Sequence, residues 1–234
     1  MPHKYSHNIQ AFTNEDAVSY YLLGAYITDG CVSKNGVSLT TEIKSKDKDW
    51  LCSIRDVISP QTQVKKAKRS NCYRLRISNK KIATWLVEHE CVPNKSLKVK
   101  MPQVPAKYLP DFIRGCIDGD GSIGTFKRNN GTSKKEYATQ VCYIVSGSKN
   151  FIQEMQEQLK QHNIHSTTRV KHTKGRITIL KDGQKIIGKH DQYIIQFTGK
   201  YCQDILRYCY YTEAKLAMQR KKNKANEIIT SLSP

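Results

Sequence analysis

Two Asp-Gly pairs are the residues of this sequence best suited to do chemistry. Asp29-Gly30 and Asp120-Gly121 each follow a short, mostly apolar run, and each run holds a glycine, Gly24 or Gly115, at the same spacing from its aspartate. Each run predicts a helix that ends at the pair, with the final glycine in the left-handed conformation that often follows a helix. If the two helices pack together, the carboxylates lie side by side, and a divalent cation such as Mg²⁺ relieves their repulsion. Carboxylates that hold such an ion are typical of sites that cleave phosphodiesters.

The helices that position these carboxylates have small residues on one face. Gly24 and Thr28 in the first copy, like Gly115 and Gly119 in the second, lie one helical turn apart. Such a stripe lets two helix backbones approach more closely than larger side chains allow. A single Asp-Gly pair is more often only a turn. Two copies in the same context favour a paired site instead.

Both segments resemble the motif of the LAGLIDADG homing endonucleases, in the single-chain form with two motifs. The second segment, residues 112–121, matches the motif almost completely, and the first, residues 22–30, departs from it at Ile27 and Thr28. The resemblance implies that the last aspartate of each motif acts in cleavage, and both are present. It also implies an α+β fold, in which two pseudo-symmetric αββαββα repeats form a saddle of antiparallel sheets with the motif helices packed at the centre.

The composition favours a nucleic-acid partner. The 234 residues include 39 Lys and Arg against 20 Asp and Glu, which gives a formal net charge of +19 and the electrostatic character of a polyanion-binding protein. A membrane-surface helix fits poorly because the charge is spread along the chain. The 8 cysteines include no C-x-x-C pair, so they predict no zinc site but small buried hydrophobes in a reducing compartment. Without a signal peptide or a long apolar run, we expect a soluble intracellular protein located with DNA, in a nucleoid or organelle matrix.

Hydrophobic periodicity predicts the same order of elements in each half, namely helix, hairpin, helix, hairpin and helix. After a polar lead-in at 1–12, the first repeat spans 13–90. A linker at 91–110 holds four prolines and shows no periodicity. The second repeat spans 111–234 and ends in a basic helix near 213–230. The duplication predicts two halves of one architecture joined by the linker.

Strand alternation predicts a basic face on each sheet. Because helices cover one face, polar side chains alternate onto the other, and long basic side chains on a β-ribbon can enter the major groove of DNA. A solvated surface is the alternative for any one of them. The residues predicted to contact DNA are Lys34, Lys44, Lys66, Arg74 and Arg76 in the first half, and Lys127, Arg128, Arg169, Lys171, Lys174, Arg176 and Lys189 in the second.

The resemblance also implies a basic residue near each scissile phosphate, beyond the third helix of each repeat. By position these residues are Lys95, which has no evident structural role in its Pro-flanked linker, and Lys221, for which a surface position in a basic helix is the alternative. Together with Asp29 and Asp120 they form the predicted catalytic set. The two aspartates are the predicted metal ligands for Mg²⁺, and Mn²⁺ or Ca²⁺ can occupy the same sites. Lys44 is expected to organise water near the site, with Ser146 as its counterpart in the second half.

The activity that the resemblance implies is site-specific cleavage of double-stranded DNA that leaves short 3′ overhangs. Since the halves differ outside the motif, we expect a long, asymmetric target. We also expect a monomer that requires no protein partner and no membrane. The alternative is a maturase that binds intron RNA through the same basic surface. A regulator that has lost its carboxylates is disfavoured because Asp29 and Asp120 are both present.

Overall fold

The computed structural model of the chain describes residues 6–35, 38–67, 70–130, 133–179 and 183–231. The helices are α1 (Gln10–Thr13), α2 (Ala17–Thr28), α3 (Lys48–Ile58), α4 (Lys80–Glu88), α5 (Leu109–Asp120), α6 (Lys149–Gln161), α7 (Lys200–Cys209) and α8 (Gln219–Thr230). The strands are β1 (Gly30–Asn35), β2 (Ser38–Ser45), β3 (Lys65–Lys66), β4 (Tyr73–Ile77), β5 (Gly121–Asn130), β6 (Ser133–Ser146), β7 (Thr167–His172), β8 (Ile177–Ile179), β9 (Lys185–Ile187) and β10 (Gln192–Thr198). Two 3-10 turns, Lys95–Leu97 and Ala106–Tyr108, lie between the halves.

Each half contains one four-stranded antiparallel sheet. The strand order is β1-β2-β4-β3 in the first sheet and β5-β6-β10-β7 in the second. The predicted α+β class, with its two αββαββα repeats, is therefore confirmed. Four elements are additional: α1 precedes the first repeat, α8 follows the second, and β8 and β9 form a separate two-stranded ribbon between β7 and β10.

The motif helices α2 and α5 lie in the centre of the core. Residues 19–27 of α2 and 111–118 of α5 are all buried. One hydrophobic core cluster includes side chains from both halves. A helix that is buried all round has packing partners on every side, so each motif helix contacts the other motif helix as well as its own sheet. Within the described ranges, no helix is both long and apolar enough to span a bilayer.

Buried polar contacts join α5 to the segment between α7 and α8. The Arg114 guanidinium donates to Asp111 Oδ1 at 2.6 Å, and it also donates to the carbonyl oxygens of Cys209 at 2.7 Å and Leu216 at 2.8 Å. Arg114 and Asp111 are both about 1% exposed. A buried charge is tolerable only when it is paired and hydrogen-bonded, so this network fixes the connection that leads into α8.

Candidate functional site

A contact between glycines brings the two motif helices together. A Cβ added at Gly24 would collide with the carbonyl oxygen of Phe112 and lie 3.0 Å from the nitrogen of Cys116. A Cβ added at Gly115 would collide with the carbonyl oxygen of Tyr21 and lie 3.1 Å from Gly24 Cα. Only a residue without a Cβ permits this backbone approach. The stripe predicted from the sequence is therefore the surface through which α2 and α5 pack.

Gly30 and Gly121 end these helices in a different way from the one predicted. Each begins a strand, and Gly121 is extended with φ −88° and ψ 169°. Among the described glycines, positive φ occurs only at Gly175, Gly183 and Gly199, so the left-handed conformation predicted for Gly30 and Gly121 is wrong. Glycine is needed at both positions because there is no space for a Cβ. A Cβ added at Gly30 would lie 2.5 Å from a ring atom of Tyr26, and one added at Gly121 would lie 2.5 Å from the carbonyl oxygen of Ile117.

Asp29 and Asp120 lie at the ends of the two packed helices and interact electrostatically. Burial, and then the charge of Asp120, raise the pKa of Asp29 from its ordinary 3.8 to about 7. Loss of hydration likewise raises the pKa of Asp120. Nearby Lys95 and Lys221 act in the opposite direction on both carboxyl groups. Asp29 is half-buried and Asp120 is exposed, so both carboxylates are open to a ligand.

Each predicted catalytic lysine contacts carbonyl oxygens at or just beyond the C-terminal end of a motif helix. Lys95 Nζ donates to the carbonyl oxygen of Gly30. Lys221 Nζ lies 2.7 to 3.2 Å from four carbonyl oxygens, those of Ile117, Asp118, Gly119 and Gly121, which share its three N–H donors. Helix C-termini attract cations because their free carbonyl groups are the negative end of the helix dipole. Since Gly30 and Gly121 are equivalent in the two motifs, the lysines are pseudo-symmetric partners.

Both lysines are held in place by burial. Lys95 is 6% exposed and Lys221 is 4% exposed. Burial lowers the pKa of Lys221, and the charge of Asp118 partly opposes that shift. The prediction that Lys95 has no structural role is wrong, because its ammonium group joins the linker to Gly30, the first residue of β1. The alternative interpretation of Lys221 as an exposed surface lysine is also wrong, because Lys221 is buried.

The segment around each lysine also contacts the opposite half. The turn Lys95–Leu97 packs against Gly147, where an added Cβ would lie 2.6 Å from the carbonyl oxygen of Ser96. At the start of α8, Arg220 donates to both carboxylate oxygens of Asp47 at 2.7 and 3.0 Å. Gly147 follows β6 and Asp47 follows β2, each just before a helix. The position of each lysine therefore depends on both repeats.

A buried carboxylate that sequence reasoning missed, Asp118, lies directly beneath the site. It is fully buried and accepts hydrogen bonds from the Tyr21 hydroxyl, the Tyr210 hydroxyl and the Met218 amide, each at 2.7 Å. Burial raises its pKa although these donors act in the opposite direction. The sequence signal that could have found it is an acid that directly follows the apolar residues Cys116 and Ile117 in the motif, since a buried acid needs partners. Asp118 supports the end of α5 that holds Lys221.

The backbone of Lys44 lies beside Asp29, but Ser146 is not its equivalent in the second half. The Lys44 amide donates to the carbonyl oxygen of Asp29 at 3.4 Å. Matching the strand registers of the two halves makes Val145 the equivalent of Lys44. Ser146 is instead the equivalent of Ser45. Each of these hydroxyls accepts a hydrogen bond from the backbone amide two residues later, just before a helix. The prediction that Ser146 is the counterpart of Lys44 is therefore wrong.

Three of the predicted DNA contacts surround one acid, Glu42, in the first sheet. Its carboxylate lies 2.8 Å from Arg76, 3.0 Å from Lys44 and 3.8 Å from Arg74. The Glu42 side chain is 8% exposed. Burial acts to raise the pKa of Glu42, but hydrogen bonds from Lys44 and Arg76 hold it below its usual value. Sequence reasoning assigned no role to this acid, which lies two residues before Lys44 on the same polar face of β2.

Two predicted contacts lie together on the second sheet. Arg169 donates to Gln196 Oε1 at 3.1 Å, and Lys171 Nζ lies 4.5 Å from the centroid of the Tyr143 ring. Tyr143 and Gln196 are directly opposite each other in β6 and β10. Side chains at opposed positions share a sheet face. Arg169 and Lys171 therefore form a basic cluster on one face.

The other predicted DNA contacts do not lie in these two clusters. Lys66 is opposite Tyr73, so Lys65, which is opposite Arg74, lies on the face of the Glu42 cluster instead. Lys127 is opposite Ala138, and alternation places it on the face away from Tyr143.

Three more, Lys174, Arg176 and Lys189, are exposed at the base of the β8–β9 ribbon. The backbones of Lys34 and Arg128 belong to β1 and β5, while their side chains lie outside the described residues.

The two motif carboxylates suit a divalent ion that takes its remaining ligands from elsewhere. In the described part of the chain, no group of three or more His, Cys, Asp or Glu side chains converges on a metal position. Mg²⁺ is commonly bound through one or two carboxylates, with water and substrate phosphates as the other ligands. Asp29 and Asp120 match that donor set, because no hydrogen bond from the described residues occupies their carboxylate oxygens.

Comparison with known proteins identifies both a domain and a fold. Residues 108–198 match the model of the LAGLIDADG-like domain. The structure is similar to that of the meganuclease I-SmaMI bound to uncleavable DNA, with a TM-score of 0.54 and 12% identity over 89% of this chain and 88% of that chain. It is also similar to the I-LtrWI LAGLIDADG homing endonuclease bound to target DNA, with a TM-score of 0.51 and 14% identity over 94% of this chain and 90% of that chain. Among curated proteins, none matches the sequence significantly.

Proposed function

We propose that this chain, whose residues 108–198 form a LAGLIDADG-like domain within the fold of the single-chain LAGLIDADG homing endonucleases, cleaves both strands of a long, asymmetric DNA target. The observation that supports this most is the pairing of Asp29 and Asp120 at the ends of two glycine-packed helices, each next to a buried lysine. Such a pair has little use in a purely structural helix contact, because each negative charge lies at the negative end of a helix dipole.

The two carboxylates and the two lysines divide the chemistry between them. Asp29 and Asp120, with phosphate oxygens of the DNA, would hold Mg²⁺, which supplies charge neutralisation and a more acidic water when bound. Lys95 and Lys221 place a fixed positive charge beside each carboxylate. Their ammonium groups are oriented by the carbonyl oxygens of Gly30 and Gly121, and they stabilise negative charge that develops on a phosphate in the transition state. One carboxylate and one lysine serve each strand, and cleavage leaves short 3′ overhangs.

The basic sheet faces bind the DNA on either side of this centre. In the first half, Lys44, Arg74 and Arg76 are oriented by Glu42; in the second, Arg169 is oriented by Gln196. Arginines held in a fixed direction are suited to bidentate pairing with guanine. Because the two clusters differ in sequence, each half recognises a different half-site, and the target is asymmetric.

Cleavage of DNA by the full chain tests this function directly. Sites selected from a randomised library should be linearised by the wild-type protein when Mg²⁺ is added and left intact when it is chelated. Asp120→Asn should lose cutting of at least one strand and keep its affinity for the site. Asp49→Asn, a matched change at an exposed position of α3, should cleave as the wild type does. Full activity of Asp120→Asn contradicts the mechanism, and binding of intron RNA without any double-strand cleavage favours the maturase alternative.

A further inference from the structure

The β8–β9 ribbon has an apolar face that the core does not cover. The strands pair antiparallel, with Ile177 opposite Ile187 and Ile179 opposite Lys185. Ile177, Ile179 and Ile187 are 59%, 66% and 62% exposed. Because opposed and alternate residues share a face, these three isoleucines lie together. A contiguous exposed apolar patch on a soluble protein marks a contact surface.

The other face of the ribbon borders a cleft, and it is also partly open to solvent, because Ile186 is 48% exposed. Thr178 and Ile186 are opposite each other in the ribbon, and they line a cleft of about 480 Å³ that Leu97 and Gly147 also border. At the base of the ribbon, the Gly188 amide donates to the carbonyl oxygen of Arg176 at 2.9 Å. The face with the three exposed isoleucines is therefore directed away from this cleft and is open to a partner.

The charges around these isoleucines select an anionic partner. Residues 173–191 include five basic residues, Lys174, Arg176, Lys181, Lys185 and Lys189, against two acids, Asp182 and Asp191. The strand that enters the ribbon, β7, includes Arg169 and Lys171 of the basic sheet face. A partner that is negatively charged but offers apolar groups between its charges fits this surface. Double-stranded DNA is such a partner, because its major groove admits a two-stranded β-ribbon and displays thymine methyl groups between two phosphate backbones.

We propose that Ile177, Ile179 and Ile187 contact thymine methyl groups in the major groove of the second half-site and so select T·A base pairs there. The proposal rests on the proposed function, since it requires that DNA lie along the basic face of β7. The lysines and arginines of the ribbon contact phosphates, which position the protein but do not distinguish bases. The isoleucines supply the discrimination, and each buried methyl group is expected to change affinity about fourfold.

Deoxyuridine tests this directly, because it differs from thymidine only by the missing methyl group. A site is first selected with the wild-type protein, and each thymine of its second half-site is then replaced singly by deoxyuridine. The wild type should bind at least one substituted duplex about fourfold more weakly. The double variant Ile177→Ser/Ile187→Ser should show no such loss, and its selected sites should lack the thymine preference at the same positions. Ile186→Ser, a matched change on the opposite face, should keep both the weaker binding to the deoxyuridine duplex and the thymine preference.

The outcomes separate this proposal from the function it rests on. If deoxyuridine has no effect at any position, or if Ile177→Ser/Ile187→Ser retains the thymine preference, the proposal is overturned and the proposed function stands. A wild-type protein that neither binds nor cleaves DNA overturns both. Since the substituted isoleucines are exposed, the variants should unfold at the wild-type temperature. Thermal unfolding followed by circular dichroism verifies that they are folded.

Discussion

Replacing Asp29 with asparagine should stabilise the metal-free protein near and above neutral pH. Burial and the charge of Asp120 raise the pKa of Asp29 from 3.8 to about 7. A carboxyl group whose pKa is raised on folding binds its proton more tightly in the folded state, so its contribution to stability is complete below the unfolded pKa and is lost as the pH rises through the folded pKa. Because a tenfold change in proton affinity corresponds to about 1.4 kcal/mol, ionisation of Asp29 should destabilise the folded protein by about 4 kcal/mol.

Urea unfolding in the presence of a chelator, over a series of pH values, measures this effect. The free energy of unfolding of the wild type should fall by about 4 kcal/mol relative to Asp29→Asn between about pH 4 and about pH 7, and the difference should then stay constant. The exposed Asp49→Asn control should follow the wild type. Added Mg²⁺ should stabilise the wild type at high pH more than it stabilises Asp29→Asn, because binding to the folded state raises stability. Parallel pH curves for the wild type and Asp29→Asn would refute the reasoning.

Three further predictions concern the lysine, the helix contact and the basic faces. Lys221→Met removes the ammonium group that contacts four carbonyl oxygens at the end of α5 and should slow cutting of one strand about a hundredfold with little loss of binding. The neighbouring Lys222→Met should keep the wild-type rate. Equal rates for the two variants in a nicking assay would argue against the assigned role. Gly115→Ala adds a Cβ against the Tyr21 carbonyl and should cost roughly 1–3 kcal/mol in urea unfolding, whereas Gly124→Ala, whose Cβ meets only the Phe126 ring, should cost less. The logarithm of DNA affinity should fall with the logarithm of salt concentration at a slope of about −9 if about ten phosphates are contacted. A slope near zero would be incompatible with the basic faces binding DNA.

The glycines show which contacts residue type and spacing can predict and which they cannot. Gly24 and Gly115 are predictable as a helix contact because small residues one turn apart leave a bare stripe that a second backbone can fill. Gly30 and Gly121 are not predictable in the same way, because glycine serves equally for a left-handed turn and for a close approach. Only the packing of Tyr26 and Ile117 beneath them shows which applies.

The acids and the strand faces depend on contacts that sequence alone does not specify. Asp118 accepts a hydrogen bond from Met218, 100 residues away, so its structural role follows from how α7 and α8 return to α5. β3 is only two residues long, and a shift of one residue in such a strand moves every side chain to the other face. For that reason the alternation predicted Lys66 where the structure has Lys65.

The central claim is that the two halves contribute one carboxylate each to a single cleavage site. Strand-resolved cleavage of a selected duplex, labelled separately on each strand, tests it most directly with the wild type, Asp29→Asn, Asp120→Asn and the double variant. With Mg²⁺ present, each single variant should lose cutting of at least one strand, the double variant should cut neither, and all should bind the duplex. Double-strand cleavage by the Asp29→Asn/Asp120→Asn variant would contradict the claim.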